Sequence, residues 1–279
     1  MAPPKIFDAS LLSLARVRAT KRQARLGRSF LYTRAAEDAA SRIADIQRRF
    51  ERAVLVGAID GRETILAELP PDRKPEIFDH VETVAALEGP YDLILSILEL
   101  QSDEALPDIL VVMRAKLSPD GVLLAATLGG ETLTELRQSL YGADQAVLGG
   151  AAARVYPMVD YSQAAMLLGR VGLALPVVDS DRVQVHYGAL ETLVGDLRDL
   201  GLSNTLAARD RRALPRRWIT VLRETYATHF AREDGKLRAT FEILWLTGWA
   251  PHESQQKPLK PGSAKMRLAD ALKTKETKL

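Results

Sequence analysis

The chain of 279 residues contains no cysteine, which excludes disulfide frameworks, thiolate metal sites and thiol nucleophiles together. Long apolar runs are missing as well: none approaches the ~20 residues that span a bilayer. The N-terminus lacks the apolar core of a signal peptide, so the expected compartment is the cytoplasm. Charge of one sign is not in excess, since 38 Lys and Arg against 36 Asp and Glu leave +2, which makes no general case for nucleic acid. No phosphate P-loop or zinc-type ligand spacing occurs, and Ser96 and Ser139 lack the context of a nucleophile elbow. His80, Glu82 and His186 have the composition of a two-His, one-carboxylate iron site. With four histidines and 36 acids such a trio arises readily by chance, and no metal is expected.

What is present is an ordinary globular composition, 47% apolar and 27% charged, enough for one large domain or a domain with an inserted lobe. The chain is organised around Arg52 to Leu69. There an apolar run (Ala53, Val54, Leu55, Val56) ends at Gly57, a short turn bounded by Gly61 follows, and a helical pattern starts at Arg62. This reads as a buried parallel strand turning into a helix whose N-terminus faces a ligand. In doubly wound α/β folds the first such turn holds nucleotide-like ligands, although Gly57-x-x-x-Gly61 by itself is a weak signal.

Residues 9 to 28 carry Arg16, Arg18, Lys21, Arg22, Arg25 and Arg28 with no acid among them: a solvated basic helix face, or contact with an acidic partner or anionic lipid. A second helix is expected from about Ala35 to Arg49, with Ala39, Ile43, Ile46 and Phe50 on one stripe. The helix from Arg62 stops before Pro70-Pro71. Ile77 and Phe78 make a brief strand, Tyr91 to Leu98 a central buried one, Asp108 to Leu117 an amphipathic helix. After the Pro119-Asp120-Gly121 turn, Val122 to Thr127 is another buried strand, so right-handed crossovers in a parallel sheet are implied. Thr132 to Tyr141 and Ser162 to Val171 read as helices, and Arg182 to Tyr187 as a half-buried strand. Residues 188 to 233 are helical, and Arg238 to Leu246 alternates again to close the sheet, pairing antiparallel with the strand before the excursion. Trp218, Tyr226, Phe230 and Trp245 read as core rather than a base-stacking platform. Arg209, Arg211, Arg212, Arg216 and Arg217 form a second basic cluster. From Lys257 the chain is polar and basic, and a mobile tail is expected.

The order of segments and several motifs resemble one family. They are Ile6-Phe7-Asp8, Tyr91-Asp-Leu93, Leu117-Ser-Pro-Asp-Gly121, Gly129-Gly-Glu-Thr-Leu-Thr-Glu-Leu-Arg137, Ala174-Leu-Pro-Val-Val-Asp179, and most specifically Thr247-Gly-Trp-Ala-Pro-His-Glu-Ser-Gln-Gln-Lys-Pro258. With them the chain resembles the seven-stranded SAM-dependent methyltransferases, and within these the bacterial relatives of mitochondrial complex I assembly factor 5, akin to the malonyl-ACP methyltransferases of biotin synthesis. The resemblance implies a Rossmann-like α/β fold with a mostly parallel sheet. Residues 1–50 would be N-terminal helices, 51–187 and 236–256 the core, 188–235 an inserted helical lobe and 257–279 a flexible basic tail. It further implies S-adenosylmethionine (SAM) as cofactor if the protein is active and a complex I subunit as protein partner. No nucleic acid is implied, and peripheral membrane contact is left open.

Departures from the family pattern fall on the cofactor side. Gly57 and Gly61 are kept, but Leu55 stands where the first motif has an acid and Ile59 where a second glycine often stands. About thirty residues between Gly61 and Tyr91 are too few for the usual two strands and two helices, leaving Asp79 or Glu82 as the acid for the ribose. Leu98-Glu99-Leu100 replaces the family's Leu-His-Trp. The expectation is a cofactor side degraded until SAM binding is weakened or lost, while the acceptor or partner face persists. The cofactor candidates are Gly57, Asp60, Gly61, Asp79 and Ser96; the acceptor or partner candidates are Glu131, Arg137 and His252. No catalytic residue is assigned. The alternative reading is a working enzyme, either a carboxyl methyltransferase or an arginine hydroxylase acting on a complex I subunit.

Overall fold

The computed structural model describes residues 5–26, 29–57, 61–86 and 88–256. Its sheet has six strands in the order β2-β1-β3-β4-β6-β5: β1 (Ala53–Gly57), β2 (Glu76–Phe78), β3 (Tyr91–Ile97), β4 (Leu117–Leu128), β5 (Ala174–Tyr187) and β6 (Leu237–Trp249). The first four are parallel, and β6 runs antiparallel between β4 and β5. That is one strand fewer, among the described residues, than the seven the resemblance implies. The shortfall lies between Gly61 and Tyr91, which hold the six-residue helix α3 (Arg62–Ala67), β2 and a 3-10 turn (Val81–Ala86).

β1 and β3 are nearly continuous apolar runs because both faces of the sheet are covered. Leu55, Leu93, Leu95, Val122, Leu124 and Ile243 point to one layer, and Val54, Val56, Ile94, Leu123, Leu244 and Leu246 to the other, the two-residue alternation of a pleated strand. The first layer is made by α2 (Phe30–Asp45), α5 (Thr134–Leu148), α7 (Leu190–Asp199) and α8 (Arg216–Phe230); the second by α4 (Leu106–Ala115) and α6 (Tyr161–Arg170). α1 (Ala9–Leu26) packs on α7. Trp218, Tyr226 and Trp245 are core residues. No helix among the described residues is long and apolar enough to cross a membrane.

Several elements differ from expectation. β4 begins at Leu117 and takes in Pro119-Asp120-Gly121, expected as a turn, while α4 ends at Ala115. Residues 200–215, inside the stretch expected to be helical, form no helix between α7 and α8. α2 begins five residues before Ala35 and ends before Ile46, so Ile46 and Phe50 follow the helix instead of lying in it. α5 runs through Gly142 to Leu148, because a Cβ at Gly142 would stand 3.2 Å from Thr225 of α8 and the glycine serves close helix packing. β5 begins eight residues before Arg182, its first half being mostly exposed and interrupted by Pro176. The tail expected from Lys257 onward lies outside the described residues, as do Arg28 and the side chain of Arg25.

The motifs that carried the resemblance brace the scaffold. Asp92 accepts from Arg48 at 3.0 Å, from the Ser118 hydroxyl at 2.8 Å and from the N–H groups of Glu51 and Arg52 at 3.1 and 3.2 Å, so it joins the starts of β1, β3 and β4. Gln255 donates to Asp120 Oδ1 and to the Ala250 carbonyl, both at 2.8 Å, fastening the last motif to Pro119-Asp120-Gly121 in the first part of β4. Buried Glu242 accepts from the Glu131 N–H at 3.0 Å, and buried Glu135 from the Thr240 N–H at 2.9 Å and hydroxyl at 2.7 Å, which clamps the 129–137 segment to β6. Phe7 bridges Leu206, and Asp8 pairs with Arg209 at 3.2 Å.

Asp144 of α5, 1% exposed, holds α8 in place. It accepts two bonds from Arg154 Nε at 2.8 and 2.9 Å and one from Arg154 Nη2 at 2.7 Å. Trp218 Nε1 donates at 2.7 Å and the Ala152 N–H at 3.0 Å, while the Arg154 guanidinium lies 4.6 Å over the Trp218 ring. Burial by itself raises this carboxyl's pKa, but the bonds from Arg154, Trp218 and Ala152 outweigh it and hold the group below the usual carboxylate range. Asp144→Asn removes the carboxylate that faces the half-buried Arg154, so denaturant unfolding at neutral pH should show a loss of about 2–4 kcal/mol. A depressed pKa stabilises above the unfolded value of ~3.9 and the benefit fades as pH falls through the folded one, so the gap between the two proteins should narrow only below about pH 4.

Candidate functional site

Strand order reverses between β1 and β3: the chain leaves β1 for β2 on one side and returns to β3 on the other. The crevice outside the carboxyl ends of these strands is where open α/β sheets bind ligands. Gly57 ends β1 there with φ +82°, and a Cβ at this position would stand 2.5 Å from the Ile97 carbonyl and 2.8 Å from Cγ of Glu99. The space beside the glycine therefore holds the Glu99 side chain. Leu98 brings it there by taking φ +53°, the left-handed region that bulky residues rarely enter and that concentrates at functional positions.

Glu99 is 7% exposed, and two side chains approach its Oε2. Arg16 of α1 comes to 3.9 Å and also donates to the Ser102 hydroxyl at 3.2 Å. His80 Nδ1, just beyond the end of β2, lies 3.4 Å from the same oxygen. Around this trio Leu12, Gln23, Tyr32, Tyr156 and Leu202 close in, and the described residues leave a recess of about 40 Å³. Tyr156 is fixed by hydrogen bonds to the Ser203 carbonyl at 2.8 Å and the Thr205 hydroxyl at 2.7 Å.

None of the cofactor candidates among the described residues lines this recess; Gly57 meets it only through the Glu99 side chain, its Cβ position standing 2.8 Å from Glu99 Cγ. Gly61, φ +79°, caps α3 and makes room for α2: its Cβ would stand 2.8 Å from that of Ala36. α3 has six residues, so its N-terminal dipole is slight. Asp79 does follow β2, yet its side chain is 72% exposed and turned to Arg62 at 3.7 Å, a weak surface pair. Ser96 is fully buried beside Val56 and Ala125 in the layer of α4 and α6, its hydroxyl without a partner among the described residues, and it does not line the recess. Ile59, Asp60 and the side chain of Glu82 lie outside the described residues.

The acceptor candidates are divided. Arg137 donates to the carbonyls of Gly130 at 3.3 Å and Thr132 at 3.2 Å and lines a groove of about 610 Å³ with Gly130, Val155, Tyr156 and Met158. Glu131 is exposed next to it. His252 does not join them. Trp249 pairs with Val122 because β6 is antiparallel, so the turn holding His252 sits at the amino ends of the parallel strands, where its ring bonds Ser254 at 2.7 Å. The iron trio likewise does not form: His80 follows β2 and His186 lies on β5, the two opposite edges of the sheet, with His186 against Arg232 at 3.1 Å. Sequence reasoning missed Arg16 and His80 as partners of Glu99. The replacement at Glu99 was the available signal, whereas Arg16 stood in a run of basic residues that reads as uniformly solvated.

No family model matches the chain. It is 39% identical over 186 residues to "Arginine-hydroxylase NDUFAF5, mitochondrial" of Danio rerio, a match covering 67% of this chain and 58% of that protein. The protein of the same name from Dictyostelium discoideum is 36% identical, with 41% of its length covered, so the chain spans less than two thirds of either of these relatives. To the Rattus norvegicus protein the identity is 32% over 262 residues, covering 85% of this chain and 75% of the relative. The malonyl-[acyl-carrier protein] O-methyltransferase of Laribacter hongkongensis is 31% identical over 182 residues, 65% of this chain and 59% of that one. Among solved structures, a Burkholderia thailandensis 1,6-didemethyltoxoflavin-N1-methyltransferase aligns over 90% of this chain and 94% of its own at a TM-score of 0.46 and 15% identity.

Gly57→Ala should lower the unfolding free energy by about 2–4 kcal/mol, from the left-handed backbone and the new overlap together. In a Glu99→Ala background the cost should shrink but not vanish, since the Ile97 carbonyl remains. Equal costs in the two backgrounds, read from denaturant melts, would show that Glu99 does not fill the space beside the glycine.

Proposed function

From the premise that the chain belongs to the family of the arginine-hydroxylase NDUFAF5, we propose that it is a methyltransferase-fold assembly factor. It acts on a subunit of respiratory complex I by binding it, with a nucleoside recess that no longer takes SAM. The observation that carries this reading is the Glu99 side chain set against Gly57 and held by Arg16 and His80. The 40 Å³ left beside it is far below the ~300 Å³ at which small-molecule sites begin, so the residues present do not fit the cofactor that the resemblance implies. The exposed Asp79, spent on Arg62, supports the same reading from the ribose side. An acceptor face on the other side is supported by the open groove that Arg137 and Gly130 line, with the segment between them clamped to β6.

A working enzyme, hydroxylating arginine or methylating a carboxyl group, is the second reading. The left-handed glycines kept at positions 57 and 61 favour it.

Calorimetry with SAM and S-adenosylhomocysteine separates the two readings. No binding heat up to ~1 mM ligand is expected; micromolar binding of SAM competed by S-adenosylhomocysteine would overturn the proposal. For the partner half, deleting the gene should lower complex I content and membrane NADH oxidation several-fold, both restored by the intact gene. Unchanged complex I in the deletion strain counts decisively against it.

A further inference from the structure

Away from the recess, α1 and α7 enclose a second concavity of about 440 Å³. Its floor is apolar, formed by Leu11, Leu14 and Ala15, and its rim is cationic, formed by Arg18, Lys21 and Arg22 of α1 and Arg198 of α7. α1 contains no acid, and no acidic residue lines the cavity. Arg22 is paired with Asp199. Arg18, Lys21 and Arg198 are exposed and have no ion pair among the described residues. Leu14 and Val17 stand 40% and 48% exposed on the same helix, so apolar surface and unneutralised positive charge coincide.

We propose that this groove docks an acidic amphipathic segment of a protein partner, its apolar side chains on Leu11, Leu14 and Ala15 and its carboxylates on Arg18, Lys21 and Arg198. Charge complementarity selects the occupant. The chain's own C-terminal tail, with seven basic side chains against two acids beyond Gln256, is repelled by the rim. A concave wall with cations on both sides suits a protruding side-chain row better than the flat surface of a bilayer, and sites of this depth accept a few anchoring groups. The long basic stems also cover apolar contacts while their heads meet carboxylates. Such a surface gives fast, salt-sensitive association and register more than raw affinity. The inference deepens the partner half of the proposed function by naming the partner's chemistry. Peptide binding is read with purified protein and complex I content in cells, so failure of one is distinguishable from failure of the other.

The test uses the full chain and a fluorescein-labelled Glu/Leu peptide of ~16 residues, long enough for an amphipathic helix, with its scrambled sequence and its Glu-to-Gln version as controls. Vesicles of equal phosphatidylglycerol and phosphatidylcholine supply a separate arm. Expected is micromolar binding of the Glu peptide alone, weakened at least ~10-fold when salt rises from ~0.05 to ~0.5 M. Arg18→Glu with Lys21→Glu, and independently Arg198→Glu on the facing wall, should each cost ~10-fold or more without moving the melting temperature. Equal affinity for the scrambled or Gln peptide, or indifference to both charge reversals, overturns the proposal. Vesicle binding that the reversals abolish, without peptide binding, overturns it in favour of a lipid surface.

Discussion

One carboxylate governs the ligand side of this molecule. Glu99 stands where β1 and β3 end, against a glycine with no side chain to resist it, and Arg16 and His80 both approach its Oε2, at 3.9 and 3.4 Å. A nearly buried carboxylate is costly unless its partners are close and its remaining lone pairs engaged. Glu99 thus links three elements: Arg16 of α1 and His80 after β2 both come to it, and the left-handed turn at Leu98 places it beside Gly57. The contact that ties α1 to the sheet therefore lies at the carboxyl ends of β1 and β3.

The motifs that carry the resemblance do different work. Asp92, Ser118, Asp120 and Gln255 meet at the amino ends of the strands, and Glu135 and Glu242 seal the 129–137 segment from within. Each is a buried or half-buried polar group with its hydrogen bonds satisfied, the type of residue that specifies one packing over its rivals. The family resemblance is therefore densest where the sheet is braced and thinnest where a ligand would lie. Family and fold can be read from it with ease; chemistry at the crevice cannot.

How much the sequence disclosed follows from how locally each feature is encoded. β1, β3 and β4 were legible as apolar runs, and the antiparallel closing pair as alternation. The first half of β5 was not, because Leu175, Val177 and Pro176 lie on an outer strand with exposed side chains and show no period. α2 was placed several residues late because Ile46 and Phe50 extend its apolar stripe past the helix end, where they pack on the core as loop residues. Gly57 is readable as a residue the turn needs. Where the side chains of Asp79, Ser96 and His252 face is not readable, since that depends on strand ends that only the assembled sheet brings together. Arg16 is the clearest case: the residues on either side of it are Ala15 and the exposed Val17, and nothing local marks its guanidinium as the one turned inward.

The strand that the described residues lack also alters the rim of the sheet. Any sheet that ends openly offers unpaired backbone groups to a second chain. Here the side that lost a strand finishes in β2, three residues long and too short to template a foreign segment. The opposite rim, β5, is long but carries Asp179 and Asp181, neutralised by Arg42 and Arg34 of α2. Both flanks of the described sheet thus offer little open edge for pairing with another chain, one by its brevity and the other by the charged side chains laid along it.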